Sequence, residues 1–249
     1  EPLAASSALQ WATGRGYDVV SLLPDQVTAG AAERVFLPTI LYVILLGIGP
    51  LDDINDPNKP AIALFNGQYV LASRTAYEAI GGHGAVRGEI AEDLELARRF
   101  KRDGRFRTLL IGGNALVRTR MYRSFGEIWR GFVKNFGLAA REDPFGAAAG
   151  LALLACVSPC SPILLIVLAA NHAWPEAGAL ALAMAAVVAI AELGMRAMRF
   201  RIGAGLALPL GLALVPAIFS ASLLCSFAGR GVEWRGRRYG GGFGGRRKT

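Results

Sequence analysis

The chain has 249 residues, 53% of them hydrophobic and only 18% charged, with a net charge of +8. A soluble domain carries about 25% charged residues, so the composition argues against an ordinary cytosolic globule. The apolar content and the aperiodic glycines exclude disorder and a collagen-like repeat. Cys156, Cys160 and Cys225 are odd in number and lie in apolar runs, against a disulfide framework, and the Cys156-to-Cys160 spacing does not suit zinc. The first 146 residues hold 17 Lys and Arg against 16 Asp and Glu, whereas the remainder holds 10 against 3. That excess sits at the edges of apolar runs, the pattern of membrane flanking rather than of a nucleic-acid face.

In chain order, Pro2–Thr13 predicts a helix with proline in its first turn. Tyr17–Leu23 and Ala61–Phe65 have strand character, and Tyr69–Ala72 is a further candidate. Val35–Ile48 is apolar but interrupted at Pro38 and too short for a span, so it is either a buried helix or one dipping into the interface. Arg74–Ile80 predicts a short helix ended by Gly81 and Gly82. Ile90, Leu94, Ala97 and Phe100 share one face of a helix over 90–102, which Asp103 and Gly104 stop. Phe106–Ile111 is again strand-like, so the first half reads as mixed α/β, a sheet covered by helices.

Phe125, Ile128, Trp129, Phe132, Val133 and Phe136 recur at steps of three and four, with Arg123, Arg130, Lys134 and Arg141 flanking or facing away. This describes an amphipathic helix in the headgroup plane, with an ordinary core helix as the alternative. Three long apolar runs follow: Ala147–Ala170, Ala177–Met195 and the uncharged stretch between Arg201 and Arg230. Each is long enough for the roughly 20 residues that a crossing needs. Glu192 interrupts the second and is expected to pair with Arg196 one turn on. Arginines before the first run and after the second put residues 1–146 on the cytoplasmic side, yet the Arg-rich tail favours the cytoplasm too. Breaks at Pro209 and Pro216, making a re-entrant hairpin, reconcile the two.

Chemistry centres on Glu92 and Asp93, adjacent carboxylates at a helix start where a general base would be oriented towards a loop. The plain alternative is that first-turn acids favour the helix macrodipole. Asn66, Gly67 and Gln68 offer polar groups on a tight turn, either to hold a ligand or only to turn the chain. His83 taken alone reads as a satisfied loop histidine. There is no Gly-rich phosphate loop, no His/Cys metal cluster and no Ser/His triad pattern.

The order Phe65 to Gln68, Tyr77 to His83, Ala91 to Ala97, Arg120 to Phe125 and Val133 to Asn135, closing with Gly231 to Tyr239, resembles family 2 glycosyltransferases. Among these are the membrane-attached ceramide glucosyltransferases and the hopanoid- and carotenoid-associated enzymes. The resemblance implies the acceptor-side part of a GT-A-like catalytic domain over 1–123. An interfacial helix over 124–141, two to three spans over 147–228 and a basic Gly/Arg-rich tail over 229–249 complete the expected organisation. It implies inverting transfer of a sugar from a nucleotide-sugar donor to a lipid or other membrane-proximal hydroxyl, giving a glycolipid of the cell envelope. Asp93 matches the family's base and Glu92 its acidic neighbour. Asn66, Gly67, Gln68, Gly81, Gly82, His83, Trp129, Arg130 and Lys134 are the implied substrate contacts. The family's Gln/Arg-x-x-Arg-Trp motif is altered, with Lys134 and Asn135 where Arg-Trp stands and no Gln. Members hold a divalent metal, Mg or Mn, through an Asp-x-Asp that does not occur here. Asp52, Asp53 and Asp56 lie elsewhere, in a Pro/Asn-rich loop. The start at Glu1 resembles residues just downstream of that motif, so the expectation is a piece lacking its donor half and inactive alone. The implied setting is a bacterial inner membrane with the catalytic part cytoplasmic and no nucleic-acid partner. A non-catalytic membrane scaffold on the same fold is the competing reading, and a transporter is disfavoured by the nearly uncharged spans.

Overall fold

A computed structural model describes residues 2–89, 91–113, 116–142, 144–155, 160–227, 232–234 and 237–239. The chain is mostly helical with small sheets, and it divides into two compact units. One comprises Glu1–Val27 and Ile44–Met121, the other Thr28–Val43 and Tyr122–Thr249.

The first unit is built on strand β1 (Val19–Leu23), a run with both faces covered, as its apolar composition requires. Val20 pairs with Leu71 of antiparallel β3 (Val70–Ala72) and with Leu109 of parallel β4 (Thr108–Gly112). Successive side chains of a strand point to opposite faces. Val20 and Leu22 accordingly meet Ala8 and Ala12 of α1 (Pro2–Arg15), while Val19 meets Leu96, Ala97 and Phe100 of α5 (Glu92–Asp103). A two-residue strand, β2 (Asp25–Gln26), pairs in parallel with β5 (Arg118–Thr119). Gly104, in the left-handed region at φ 72°, ends α5 where the sequence places its stop.

The segment 61–65 is not the strand its composition predicts, although Ala63 and Phe65 are buried. Its backbone is held by a side chain instead: Lys101 on the inner face of α5 donates to the carbonyls of Ile54 (2.8 Å), Lys59 (3.0 Å) and Ile62 (2.6 Å). Asn55, at the end of α3 (Leu51–Asn55), takes the place of another strand against β4. It accepts the N–H of Leu110 at 2.7 Å and donates to its carbonyl at 2.9 Å. The expected α/β half is therefore present only as small sheets among helices.

Helix α2 (Ala31–Ile48) is a correction to the reading of Val35–Ile48. Pro38 does not interrupt it, and at 18 residues it is one of three helices long and apolar enough to cross a membrane. The others are α9 (Trp174–Ala197) and the segment Ala204–Cys225, which covers all but the last two residues of α10 (Leu208–Phe227). Pro216 likewise leaves α10 continuous, and Pro209 falls in its first turn, where a missing N–H costs nothing. No proline-made re-entrant hairpin forms there. The run Ala147–Ala170 is divided instead between α7 (Pro144–Ala155) and α8 (Ser161–Ala170), with 156–159, and so Cys156, outside the described residues. Helix α4 (Arg74–Ala79) forms as expected in the first unit, while Ile90 and most of the tail lie outside the described residues.

Large apolar side chains stand open along these helices, among them Ile166 (67% exposed), Leu182 (73%) and Leu224 (68%). Soluble surfaces rarely carry so much contiguous apolar area. The aromatic helix α6 (Phe125–Glu142) uses its apolar side for packing in the second unit. Ile128 and Phe132 are buried, Phe136 stacks on Phe219 of α10, and Ser222 donates to the carbonyl of Val133 at 2.6 Å. Tyr122 packs on Phe132 and lies directly over Gly131, where an added Cβ would overlap its phenol. Gly131→Ala is therefore expected to destabilise the second unit by about 1–3 kcal/mol, read by denaturant unfolding in detergent.

Burial pushes the Tyr122 phenol up to about 12, against about 10 in an unfolded chain. A raised value favours the neutral phenol in the folded state. Its contribution is thus complete below pH ~10 and is lost as the pH rises from there through ~12. Tyr122→Phe should flatten that part of the stability–pH profile, measured as the difference from wild type.

Candidate active site

The site is organised from Ser21, the one polar residue in the run Val19–Leu23, fully buried in the first unit. Its Oγ accepts the N–H of Asn66 at 2.8 Å and donates to the carbonyl of Tyr69 at 3.0 Å. This pins the turn Asn66–Gly67–Gln68 at the end of the central strand. Within the turn the Asn66 Oδ1 accepts the N–H of Gln68 at 2.9 Å, and Gln68 Oε1 accepts from Gln26 Nε2 at 3.3 Å.

The pinned turn meets the start of α5. Asp93 is half-buried, and its Oδ2 accepts the N–H of Gly67 at 2.9 Å while Oδ1 accepts the N–H of Leu94 at 2.9 Å. Asp93 pairs with no cation among the described residues. A Cβ on residue 67 would come within 3.0 Å of Oδ2, so the approach depends on glycine. Glu92 beside it is exposed, and Glu95 pairs with Arg98 (3.8 Å) and Arg102 (3.4 Å). Three acids in the first turn of α5 also suit its macrodipole, so one arrangement serves both stability and an oriented carboxylate.

Gly81, Gly82 and His83 form a second turn of the same unit, after α4. Gly81 (φ 80°) and Gly82 (φ 51°) take left-handed backbone, and Gly82 lies against the ring of Tyr77, leaving no room for a Cβ. The Tyr77 hydroxyl sits 2.6 Å from His83 Nδ1 and accepts the His83 N–H at 2.9 Å. Trp129, Arg130 and Lys134 lie on α6 in the second unit. Trp129 is half-buried beside Phe125, Arg130 is exposed and Lys134 is half-buried.

Asp52 and Asp53 lie in α3 and not in the loop expected of them, and with Asp56 they do not converge. Asp53 pairs with Lys59 at 2.5 Å, and Asp56 Oδ1 accepts from the N–H and the side chain of Asn58. Among the described residues no three His, Cys, Asp or Glu side chains group to hold a metal ion. The described residues thus offer no donor set for the divalent metal that the resemblance implies.

Ser21 and Lys101 are parts of this construction that spacing does not reveal. Their partners lie 45 or more residues away for Ser21 and up to 47 for Lys101. The visible signal was a single serine inside an apolar strand and a lysine on the apolar face of a helix. Ser21→Ala leaves the half-buried Asn66 N–H without its acceptor and is expected to cost about 1–3 kcal/mol, measured by chemical unfolding. An unchanged midpoint would show that the turn is held by other contacts.

Comparison with known proteins now adds the class. The sequence pattern that defines Glycosyl transferase family 21 matches residues 57–246. The chain belongs to that family and is a glycosyltransferase by membership. No curated protein and no solved structure matches it. The motif order resembles family 2 and the matched pattern is that of family 21; the two agree on the class.

Proposed function

We propose that this protein transfers a sugar from a nucleotide-sugar donor to a lipid or other membrane-proximal hydroxyl, with inversion at the anomeric carbon. Asp93 is the base in this reading. The observation that carries it is the bond from the Gly67 N–H to the Asp93 carboxylate, in a chain that belongs to a glycosyltransferase family. Two backbone donors orient the carboxylate, and each oxygen retains lone-pair capacity for an incoming hydroxyl. The carboxylate takes the proton of the acceptor hydroxyl as its oxygen forms the bond to the anomeric carbon. The bond from that carbon to the diphosphate oxygen breaks, and the nucleoside diphosphate leaves with the electron pair. Assignment of Arg130 and Lys134 to the donor's phosphates rests on the motif resemblance alone. The helix α9 and the segment Ala204–Cys225 support an integral membrane location, and the charge pattern puts residues 1–146 on the cytoplasmic side, hence an apolar acceptor. Strand β1 before α2 pairs with β3 and β4 after it, so in this reading α2 does not cross.

The complete gene product carrying this sequence, in membranes, is to be incubated with labelled nucleotide sugars and its lipids separated by thin-layer chromatography. Asp93→Asn keeps the size of the side chain and removes the base, and should lower turnover by about 10²–10⁴-fold with unchanged unfolding. Glu92→Gln should act far more weakly. Near wild-type turnover in the Asp93 variant would refute the assignment. The Lys134–Asn135 departure favours a second reading, a non-catalytic scaffold, which an absence of turnover with every donor would support.

A further inference from the structure

The second unit contains a cavity that the transfer reaction does not use. It measures about 170 Å³ and is lined by Thr28, Arg34, Pro38, Phe200 and Arg201, with Ile202, Gly203 and Ala204 completing the wall. Neither of its two cations forms an ion pair among the described residues. Arg34 spends only its Nε, on the carbonyl of Thr28 at 3.4 Å, and Arg201 meets no carboxylate among the described residues. The acid that reaches this loop, Glu192 of α9, is already engaged. Glu192 accepts from Arg196 Nε at 2.8 Å, from the Gly203 N–H at 2.9 Å and from the Gly205 N–H at 2.7 Å. It thereby fixes the wall 201–204 without neutralising Arg201.

The position of the cavity is informative. Arg34 lies in the first turn of α2, residues 200–203 follow the end of α9, and Ala204 opens the next apolar segment. The cavity thus sits at the junction of α9 and the segment Ala204–Cys225, with the start of α2 against it. In a bilayer the junction of two crossing helices lies at headgroup depth. Ile202 (79% exposed) and Leu206 (77% exposed) stand open beside the arginines, apolar neighbours suited to acyl chains. The volume is well below the ~300–1,000 Å³ of pockets that enclose a whole small molecule. It suits a headgroup whose remainder lies outside.

We propose that Arg34 and Arg201 form a phosphate-binding site at the membrane boundary, occupied by the phosphate of an anionic phospholipid. Planar guanidinium forks bind phosphate oxygens bidentately, and the Thr28 hydroxyl is available as a further donor. The site rests on the membrane part of the reading above and not on the sugar-transfer part.

The test uses the complete gene product in neutral detergent, with native mass spectrometry after addition of phosphatidylglycerol, of uncharged diacylglycerol, or of inorganic phosphate. Phosphatidylglycerol should be retained and diacylglycerol lost. The double variant R34Q/R201Q should bind phosphatidylglycerol about tenfold or more weakly, since each guanidinium contributes charged hydrogen bonds. Arg74→Gln, an exposed charge on α4 of the other unit, should change nothing. Should the double Gln variant unfold, R34K/R201K keeps the charge and should show intermediate retention. Phosphatidylglycerol held more tightly than inorganic phosphate supports the lipid as occupant; equal binding of the two, lost in the same variant, overturns the lipid and leaves a site for free phosphate. Retention of phosphatidylglycerol undiminished in R34Q/R201Q, or of diacylglycerol equal to it, overturns the proposal. Resistance of the wild type to alkaline carbonate extraction tests the membrane reading separately.

Discussion

The arrangement around Asp93 depends on one hydrogen bond, from the backbone N–H of Gly67 to its carboxylate. That bond closes a relay from the buried hydroxyl of Ser21 through the Asn66 turn to the first turn of α5. Each link is short and uses a backbone group that would otherwise be an unmet donor at a strand end or a helix start. The helix dipole favours the charged carboxylate at that place. A group oriented in this way keeps its stabilising contacts while one side remains open, which is the condition for a base to work on an incoming hydroxyl. Glycine at 67 is part of the same constraint, because any side chain there would push the carboxylate away.

The same economy explains the small sheet. Where a larger α/β domain would use more strands, this unit uses polar side chains to satisfy backbone groups. Asn55 takes both groups of Leu110, and Lys101 donates to three carbonyls between Ile54 and Ile62. Burial draws the Lys101 ammonium below the ordinary lysine range, so its position is tolerated because three acceptors replace water around it.

The second unit follows a different rule. Its helices leave large apolar side chains outside and keep polar groups matched, as with Ser222 on Val133 and Glu192 on the Gly203 and Gly205 N–H groups. Close helix contact in such a setting relies on small residues. Gly211 lies against Thr39, and Gly194 against Tyr42. Proline is accommodated inside α2 and α10 because neighbouring elements supply the packing that a lone helix would lack.

Local and periodic signals were legible in the sequence. The helix over 92–103 with its glycine stop, the aromatic period of α6, the short helix before Gly81, the Glu192–Arg196 pair and two of the spans all depend on neighbours within a few positions. The motif order pointed to glycosyltransferases for the same reason. What the linear pattern missed was long-range. The failure of 61–65 to be a strand, the uninterrupted course of α2 and α10 through their prolines, and the roles of Ser21 and Lys101 depend on groups tens of residues away. A backbone carbonyl is indifferent to whether a strand or a lysine satisfies it, and nothing in a short window of residues says which will arrive. Periodicity records which side of an element is apolar; the fold alone supplies the partner that meets it.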